Sequence, residues 1–181
     1  MRGEDLVRRL HQHRSWANRL LLDAAEQLTD DQLRQSFRIG QGSVWKSLVH
    51  LWAAEYVWLD ALGGKPQTLA PGDVAGKLPG NQEGEGALAG LPELVTAWSE
   101  LDARWDSYLA SLTAAQLDDV VHKESSRGGR YAFRRADVLL HVCTHAHYTI
   151  AQVINMLRQL GVDPLPDPML ITLARSEASA S

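Results

Sequence analysis

Histidine is the residue type whose spacing in this sequence could build a reactive site. His141 and His145 are four residues apart, so on a helix they project from nearly the same face, one turn from each other. His50 lies in an earlier helical segment, beside the small residues Ala53 and Ala54, which would leave space around an imidazole inside a bundle. Three imidazoles with one open position form the ligand set of a catalytic zinc. The spacing therefore predicts a divalent metal, Zn²⁺ or Ni²⁺, on His50, His141 and His145.

A second interpretation of these histidines stays open at this point, because buried histidines often hydrogen-bond only to backbone or water. Four further histidines do not share the predicted face and are expected to be structural or surface residues (His11, His13, His122 and His147). Glu55 lies about 140° around its helix from His50, so we expect it beside the pocket rather than as a ligand. Cys143 points about 160° away from His141, and we expect a small core residue there.

Four long segments carry apolar residues at spacings of three, four and seven, which predicts four helices. These segments are residues 4–28, 43–63, 92–112 and 135–160. Ser43 is a suitable N-cap for the second helix, and Gly161 ends the last one. Capping-box patterns at Thr29 and Thr113 predict two additional short turns. The pattern as a whole predicts an all-α protein built as a four-helix bundle.

Two connecting segments differ in composition from the helices. Residues 63–92, between helices 2 and 3, contain eight of the fourteen glycines and four of the seven prolines. A connection of this length is usually a lid, a binding loop or a disordered segment. Residues 120–133 have β-prone flanks around a Ser-Ser-Arg-Gly-Gly run, which predicts a small hairpin before the last helix. We expect one bundle domain over residues 1–175 and a flexible tail over residues 176–181.

Composition and charge exclude several classes of protein. The 181 residues carry 18 Lys+Arg and 22 Asp+Glu, a net charge of −4, without a basic block, so we expect no nucleic-acid partner. No stretch approaches the ~18 apolar residues of a membrane helix, and the first residues show no apolar signal core, so we expect no membrane association. Cys143 is the single cysteine and cannot form an internal disulfide, which favours a reducing, cytoplasmic compartment.

Three blocks of the sequence resemble the DinB/YfiT-like family. The Trp-Ala-Asn run at residues 16–18 is similar to the family's first helix, and residues 42–59, with Leu-Val-His-Leu at their centre, resemble its second-helix signature. Residues 139–161, which begin Leu-Leu-His-Val, resemble its last helix. The order and spacing of the three blocks agree with the family over nearly the whole chain.

The resemblance implies a four-helix bundle, often a homodimer, that holds a divalent metal with one histidine from the second helix and two from the last. His50 and His145 match two of these positions. The third falls on Thr149, whose hydroxyl is a far poorer ligand for such metals than an imidazole. His141 matches a histidine often present one turn earlier, and its use would move the metal about 5 Å along the helix. Thr149 is therefore a pocket candidate, as is Glu55.

Two functions follow as hypotheses. The resemblance implies a metal-dependent enzyme with a small-molecule substrate, either a hydrolase or a transferase that uses a low-molecular-weight thiol, because the family includes such activities. The alternative is a metal-free bundle with a degenerate site, acting as a stress-related small-ligand binding or scaffold protein. We expect a homodimer with either function.

Overall fold

The computed structural model describes residues 2–179, which form four long helices, two short helices, one 3-10 turn and one hairpin. The elements in chain order are α1 (Gly3–Ala25), α2 (Asp30–Arg34), α3 (Val44–Leu62), α4 (Leu91–Ser111), the 3-10 turn (Ala115–Asp118), β1 (Val120–Glu124), β2 (Arg130–Arg134), α5 (Arg135–Gln159) and α6 (Leu170–Ser179). The long helices α1, α3, α4 and α5 form the bundle, and α5 packs against both α1 and α3. The predicted four-helix bundle is therefore confirmed.

Side-chain caps determine where several helices begin. The Ser43 hydroxyl accepts a hydrogen bond from the Lys46 N–H at 3.1 Å and begins α3. Thr29 and Gln32 form the predicted capping box at the start of α2. Gly63 is the C-cap of α3. These boundaries follow from local sequence signals, because each cap satisfies backbone groups that the helix itself leaves unpaired.

Helix α3 is enclosed more completely than the other long helices. It is apolar on more than one face, and it contacts α4, α5, β1 and the short helix α2. Its Trp52 packs in the same core as Trp98 and Trp105 of α4, and all three indoles are at most 2% exposed. Within residues 2–179, no helix combines the length and apolarity that crossing a bilayer requires.

The predicted hairpin is confirmed, and its register decides which side chains face the bundle. β1 and β2 are antiparallel, with Val121 opposite Phe133 and Lys123 opposite Tyr131. Because side chains alternate along a strand, these four residues share one face of the hairpin. Val121 is 3% exposed, so this face is turned toward α3 and α5, which both contact β1.

The C-terminal segment differs from the expected flexible tail. Residues 176–179 are the last turn of α6, which packs against α1. Leu173 is buried, and the Glu177 carboxylate forms an ion pair with the Arg9 guanidinium of α1 at 2.7 Å. The ion pair is not visible in local sequence, because its two partners are 168 residues apart. The last two residues of the predicted tail lie outside the described range.

A buried ion pair connects three helices of the bundle. Arg14 of α1 and Glu55 of α3 are almost fully enclosed, with 3.4 Å between Nη1 and Oε2. Asn18 donates to Oε1 of the carboxylate at 2.8 Å, and Trp98 of α4 donates to Oε2 at 3.3 Å. Arg14 also lies 3.4 Å from the Asp102 carboxylate of α4. Burial raises the pKa of Glu55, and the Arg14 guanidinium opposes that shift.

We expect Arg14→Met to lower the free energy of unfolding by about 3–5 kcal/mol, because it leaves the Glu55 carboxylate buried without its cation. Glu55→Gln in the Arg14→Met background should recover most of this loss, since the amide still accepts a hydrogen bond from Asn18 and buries no charge. Urea unfolding of the wild type, both single variants and the double variant gives the coupling energy. This account would be contradicted if the loss of unfolding free energy in the double variant equalled the sum of the losses in the two single variants.

Candidate functional site

A pocket of about 700 Å³ lies between α3, α5, the hairpin and the loop that connects α3 to α4. The pocket surface is mainly apolar, and Val57, Trp58 and Phe133 contribute to it. His50 of α3 and His145 of α5 also line it, and we refer to them as the histidine pair. The structure therefore brings two of the three predicted metal ligands together in one cavity.

The histidine pair has a defined hydrogen-bonding state at His50. The two rings meet edge to face, with 5.2 Å between their centroids. Nδ1 of His50 lies 2.8 Å from the Pro79 carbonyl oxygen. A carbonyl oxygen can only accept, so Nδ1 carries the proton, and Nε2 has a free lone pair when the ring is neutral. The backbone of the connecting loop thus selects the tautomer of His50.

His145 is neutral at physiological pH. Burial of the ring lowers its pKa to about 4, and the neighbouring His50 and His141 lower it in the same direction. A neutral imidazole has one N–H donor and one unprotonated nitrogen. The pair therefore offers hydrogen-bonding groups of both kinds to a molecule in the pocket.

The predicted triad of His50, His141 and His145 is not assembled. His141 is exposed, does not line the pocket, and packs edge to face on Trp58 with 5.2 Å between the centroids. Its ring lies 5.7 Å from that of His145, and one helical turn separates the two residues. In residues 2–179, no three His, Cys, Asp or Glu side chains are placed so that they could hold a metal ion.

Thr149, predicted as a pocket candidate, is buried in the bundle. It lies on α5 one turn beyond His145, with 2% of its surface exposed, and it is not among the pocket residues. The family resemblance implies a third metal ligand at this position, and this chain has a hydroxyl there. A hydroxyl binds Zn²⁺ or Ni²⁺ poorly, so the described residues do not fit a three-histidine metal centre.

Glu55, the other pocket candidate, is not among the residues that line the pocket. Its carboxylate is enclosed between α1, α3 and α4, where it pairs with Arg14. The reason is the helical rotation between His50 and Glu55, which turns the two side chains to different faces of α3. Cys143, which we expected to be a small core residue, is partly buried, and burial raises the pKa of its thiol to about 12.

The remaining histidines are structural or surface residues, as predicted. His11 is buried, with Nε2 3.1 Å from the Leu139 carbonyl oxygen. His13 bonds through Nε2 to the Pro168 carbonyl oxygen at 2.7 Å, and the ring of His147 lies against it. Most of the histidine excess therefore contributes to packing rather than to the pocket.

The loop between α3 and α4 forms one wall of the pocket. The Asp73 carboxylate organises it by accepting hydrogen bonds from the N–H groups of Gly80 at 2.7 Å and Gln82 at 3.0 Å. Gly80 has a φ of 83°, and a Cβ there would lie 2.5 Å from the Cα of His50. Only glycine permits this approach, which brings the carbonyl of the preceding Pro79 onto the His50 ring. The connecting loop therefore forms part of the pocket wall through its contact with α3.

Comparison with known proteins identifies the family. The model of the DinB family matches residues 3–177. This chain belongs to the DinB family. Among solved structures, the DinB-family chain is similar to YfiT from Bacillus subtilis, with a TM-score of 0.64 and 21% identity over 86% of this chain and 87% of that chain. YfiT is described as a probable metal-dependent hydrolase with an unusual four-helix bundle topology, and at this identity the likeness shows the fold. No curated protein sequence matches the chain.

Sequence reasoning missed the hairpin residues that line the pocket of this DinB-family protein. Lys123, Tyr131 and Phe133 contribute to the lining from the face that the hairpin turns toward the bundle. The alternation of Val121 and Lys123 along β1 is a signal that these residues share a face. The sequence alone does not show that this face covers a cavity, because that depends on how the hairpin packs on α3 and α5.

We expect Gly80→Ala to destabilise the DinB-family protein more than Gly76→Ala. Both glycines have a φ near 80°, but a Cβ at Gly76 would meet nothing within 4 Å, so that variant measures backbone strain alone. Gly76→Ala should cost about 1–2 kcal/mol. Gly80→Ala should cost more, and it should also speed trypsin cleavage after Lys77, because the loop no longer rests on His50. Urea unfolding and limited proteolysis measure the two effects, and equal behaviour of both variants would contradict the contact.

Proposed function

We propose that this DinB-family protein binds a small molecule in the pocket, with the histidine pair as its polar contact and without a three-histidine metal centre. The observation that carries the proposal is that two imidazoles line the pocket, while the third family position is the buried Thr149 hydroxyl. His141, the other candidate ligand, packs on Trp58 and lies outside the lining. These contacts support the metal-free alternative among the sequence-based hypotheses.

The chemistry of the pocket indicates what kind of molecule it would take. Apolar walls that include Val57 and Trp58 favour an apolar body, which gains about 25 cal/mol for each Å² removed from water. Nε2 of His50 can accept a hydrogen bond from a hydroxyl or N–H group, and neutral His145 can donate or accept. A polar group that lacks a hydrogen-bond partner in apolar surroundings costs free energy. The pair would therefore select ligands that place a polar group against it.

A second candidate function is a metal-dependent hydrolase or a transferase that uses a low-molecular-weight thiol. One observation favours it: the bond from Nδ1 of His50 to a backbone carbonyl is the support that metal-ligating histidines commonly have. The description of YfiT as a probable metal-dependent hydrolase points the same way. Two imidazoles and a threonine fit Zn²⁺ or Ni²⁺ less well than three imidazoles, so this candidate ranks second.

Homodimer formation, a cytoplasmic location and a stress-related role stay predictions from the sequence. One structural observation supports the homodimer. Leu140 and Tyr148 of α5 are 42% and 68% exposed, and exposed apolar side chains on a bundle helix suit packing against a second copy.

Metal analysis of the purified protein separates the two candidate functions. We expect the wild type, purified without added metal, to contain far less than one Zn²⁺ or Ni²⁺ per chain. Thr149→His should raise the affinity for Zn²⁺ by at least about 100-fold. Residues that only hydrogen-bond to a metal ligand change metal affinity by about 10–100-fold, and an added ligand contributes more than that. Elemental analysis and competition with a chelating dye measure both quantities.

Thr144→His is the matched control, because it makes the same substitution on the exposed side of α5 and should leave the affinity unchanged. One metal per wild-type chain, lost in both His50→Ala and His145→Ala, would overturn the proposal and favour the metal-dependent enzyme. An affinity unaffected by Thr149→His would contradict the explanation that the threonine at this position leaves the histidine pair without a third ligand.

A further inference from the structure

The hairpin contributes two charged residues to the pocket lining, Glu124 and Lys123. Lys123 is the one on the face turned toward the bundle. It lies on β1 two residues after the buried Val121 and opposite Tyr131, so the three side chains share that face. The lysine is half-buried and belongs to the pocket lining, together with Tyr131 and Phe133. An ammonium group at such a position lies in surroundings that are much less polar than water.

No carboxylate in the described range lies within ion-pair distance of the Lys123 ammonium group. Its hydrogen bond is to the Pro66 carbonyl oxygen, at a long 3.4 Å. The adjacent Glu124 carboxylate instead pairs with Arg130 at 3.4 Å and accepts a hydrogen bond from Gln67. Burial lowers the pKa of Lys123, and Asp60 and Glu124 oppose this shift from a distance. The lysine is thus a partly desolvated cation without a close counter-ion.

Lys77 provides a comparison within the same pocket. It lines the pocket from the connecting loop, but its ammonium group forms an ion pair with Glu83 of that loop. The two lysines therefore differ in what they can offer to a bound molecule. Lys77 already has an anionic partner, whereas Lys123 would gain one from a ligand.

We propose that Lys123 anchors an anionic group of the ligand, such as a carboxylate, sulfonate or phosphate, while the apolar body of the ligand packs against Trp58 and Phe133. This inference rests on the proposed function, because it assigns a charge to the small molecule that the pocket binds. An anion beside Lys123 forms a charge-assisted hydrogen bond in apolar surroundings, where such bonds are strongest. The ligand class is therefore an amphipathic small anion with an aromatic or aliphatic body.

Two fluorescent dyes with the same body test the inference. 8-Anilinonaphthalene-1-sulfonate is an anion, and N-phenyl-1-naphthylamine is its neutral counterpart without the sulfonate. We expect both dyes to bind the wild type and to accept energy from its tryptophans. The anion should bind about tenfold more tightly, the ratio that a charge-assisted hydrogen bond typically provides.

Variants of the two lysines then assign the preference to one side chain. Lys123→Met should abolish the tenfold difference between the two dyes, because it weakens binding of the anion. Lys123→Arg keeps the charge and should keep the preference. Lys77→Met combined with Glu83→Gln is the matched control: it removes both charges of that ion pair, so it should leave the ratio of the two dye affinities unchanged. Circular dichroism of each variant verifies that it is folded.

The outcomes separate this inference from the proposal on which it rests. Ala54 lines the pocket, so Ala54→Leu should reduce the affinity for both dyes. Failure of both dyes to bind, or binding that Ala54→Leu does not change, would overturn the proposed pocket function itself. If Ala54→Leu weakens the binding of both dyes, two results would overturn only the role of Lys123. One is a preference for the anionic dye that persists in Lys123→Met, and the other is a preference that the combined Lys77→Met and Glu83→Gln variant also abolishes.

Discussion

The contact between the backbones of Gly80 and His50 is the constraint on which the pocket depends. A residue with a Cβ cannot occupy this position, since the added atom would lie 2.5 Å from the His50 Cα. The close approach lets the Pro79 carbonyl accept the proton of His50 Nδ1, and this fixes the tautomer of the ring. One glycine therefore sets both the position of a pocket wall and the hydrogen-bonding character of a residue inside the pocket.

Helix α3 packs in the core of the bundle with one face and lines the pocket with another. The face of α3 that carries Glu55 is held to α1 and α4 by the ion pair with Arg14. The face that carries His50 is left to the pocket, where neighbours such as Ala54 and Val57 are small or apolar. The Glu55 carboxylate is thus engaged in the core, and the two carboxylates that do line the pocket have partners of their own: Asp73 accepts from loop N–H groups and Glu124 pairs with Arg130. Of the two lysines that line the pocket, Lys77 pairs with Glu83, so Lys123 is the one that can accept an anion as a partner.

Local sequence signals were sufficient to predict the helices and the hairpin. The family resemblance was sufficient to predict that His50 and His145 lie together. The caps at Ser43 and Thr29 act within one helical turn, so the sequence near them determines the result. Contacts distant in sequence could not be predicted in the same way. The position of His141 depends on where Trp58 packs, the loop depends on Gly80 reaching α3, and α6 depends on an ion pair between Arg9 and Glu177.

Nitrogen-15 chemical shifts of the histidine rings test the central claim most directly, because they report the protonation and the ligation of each ring nitrogen. The account predicts that His50 carries its proton on Nδ1 and that His145 is neutral at physiological pH. It also predicts that Zn²⁺ buffered at a low free concentration changes neither ring. A joint shift of His50 and His145 with a third histidine such as His141, under the same conditions, would contradict the account, because it would reveal a three-histidine metal centre.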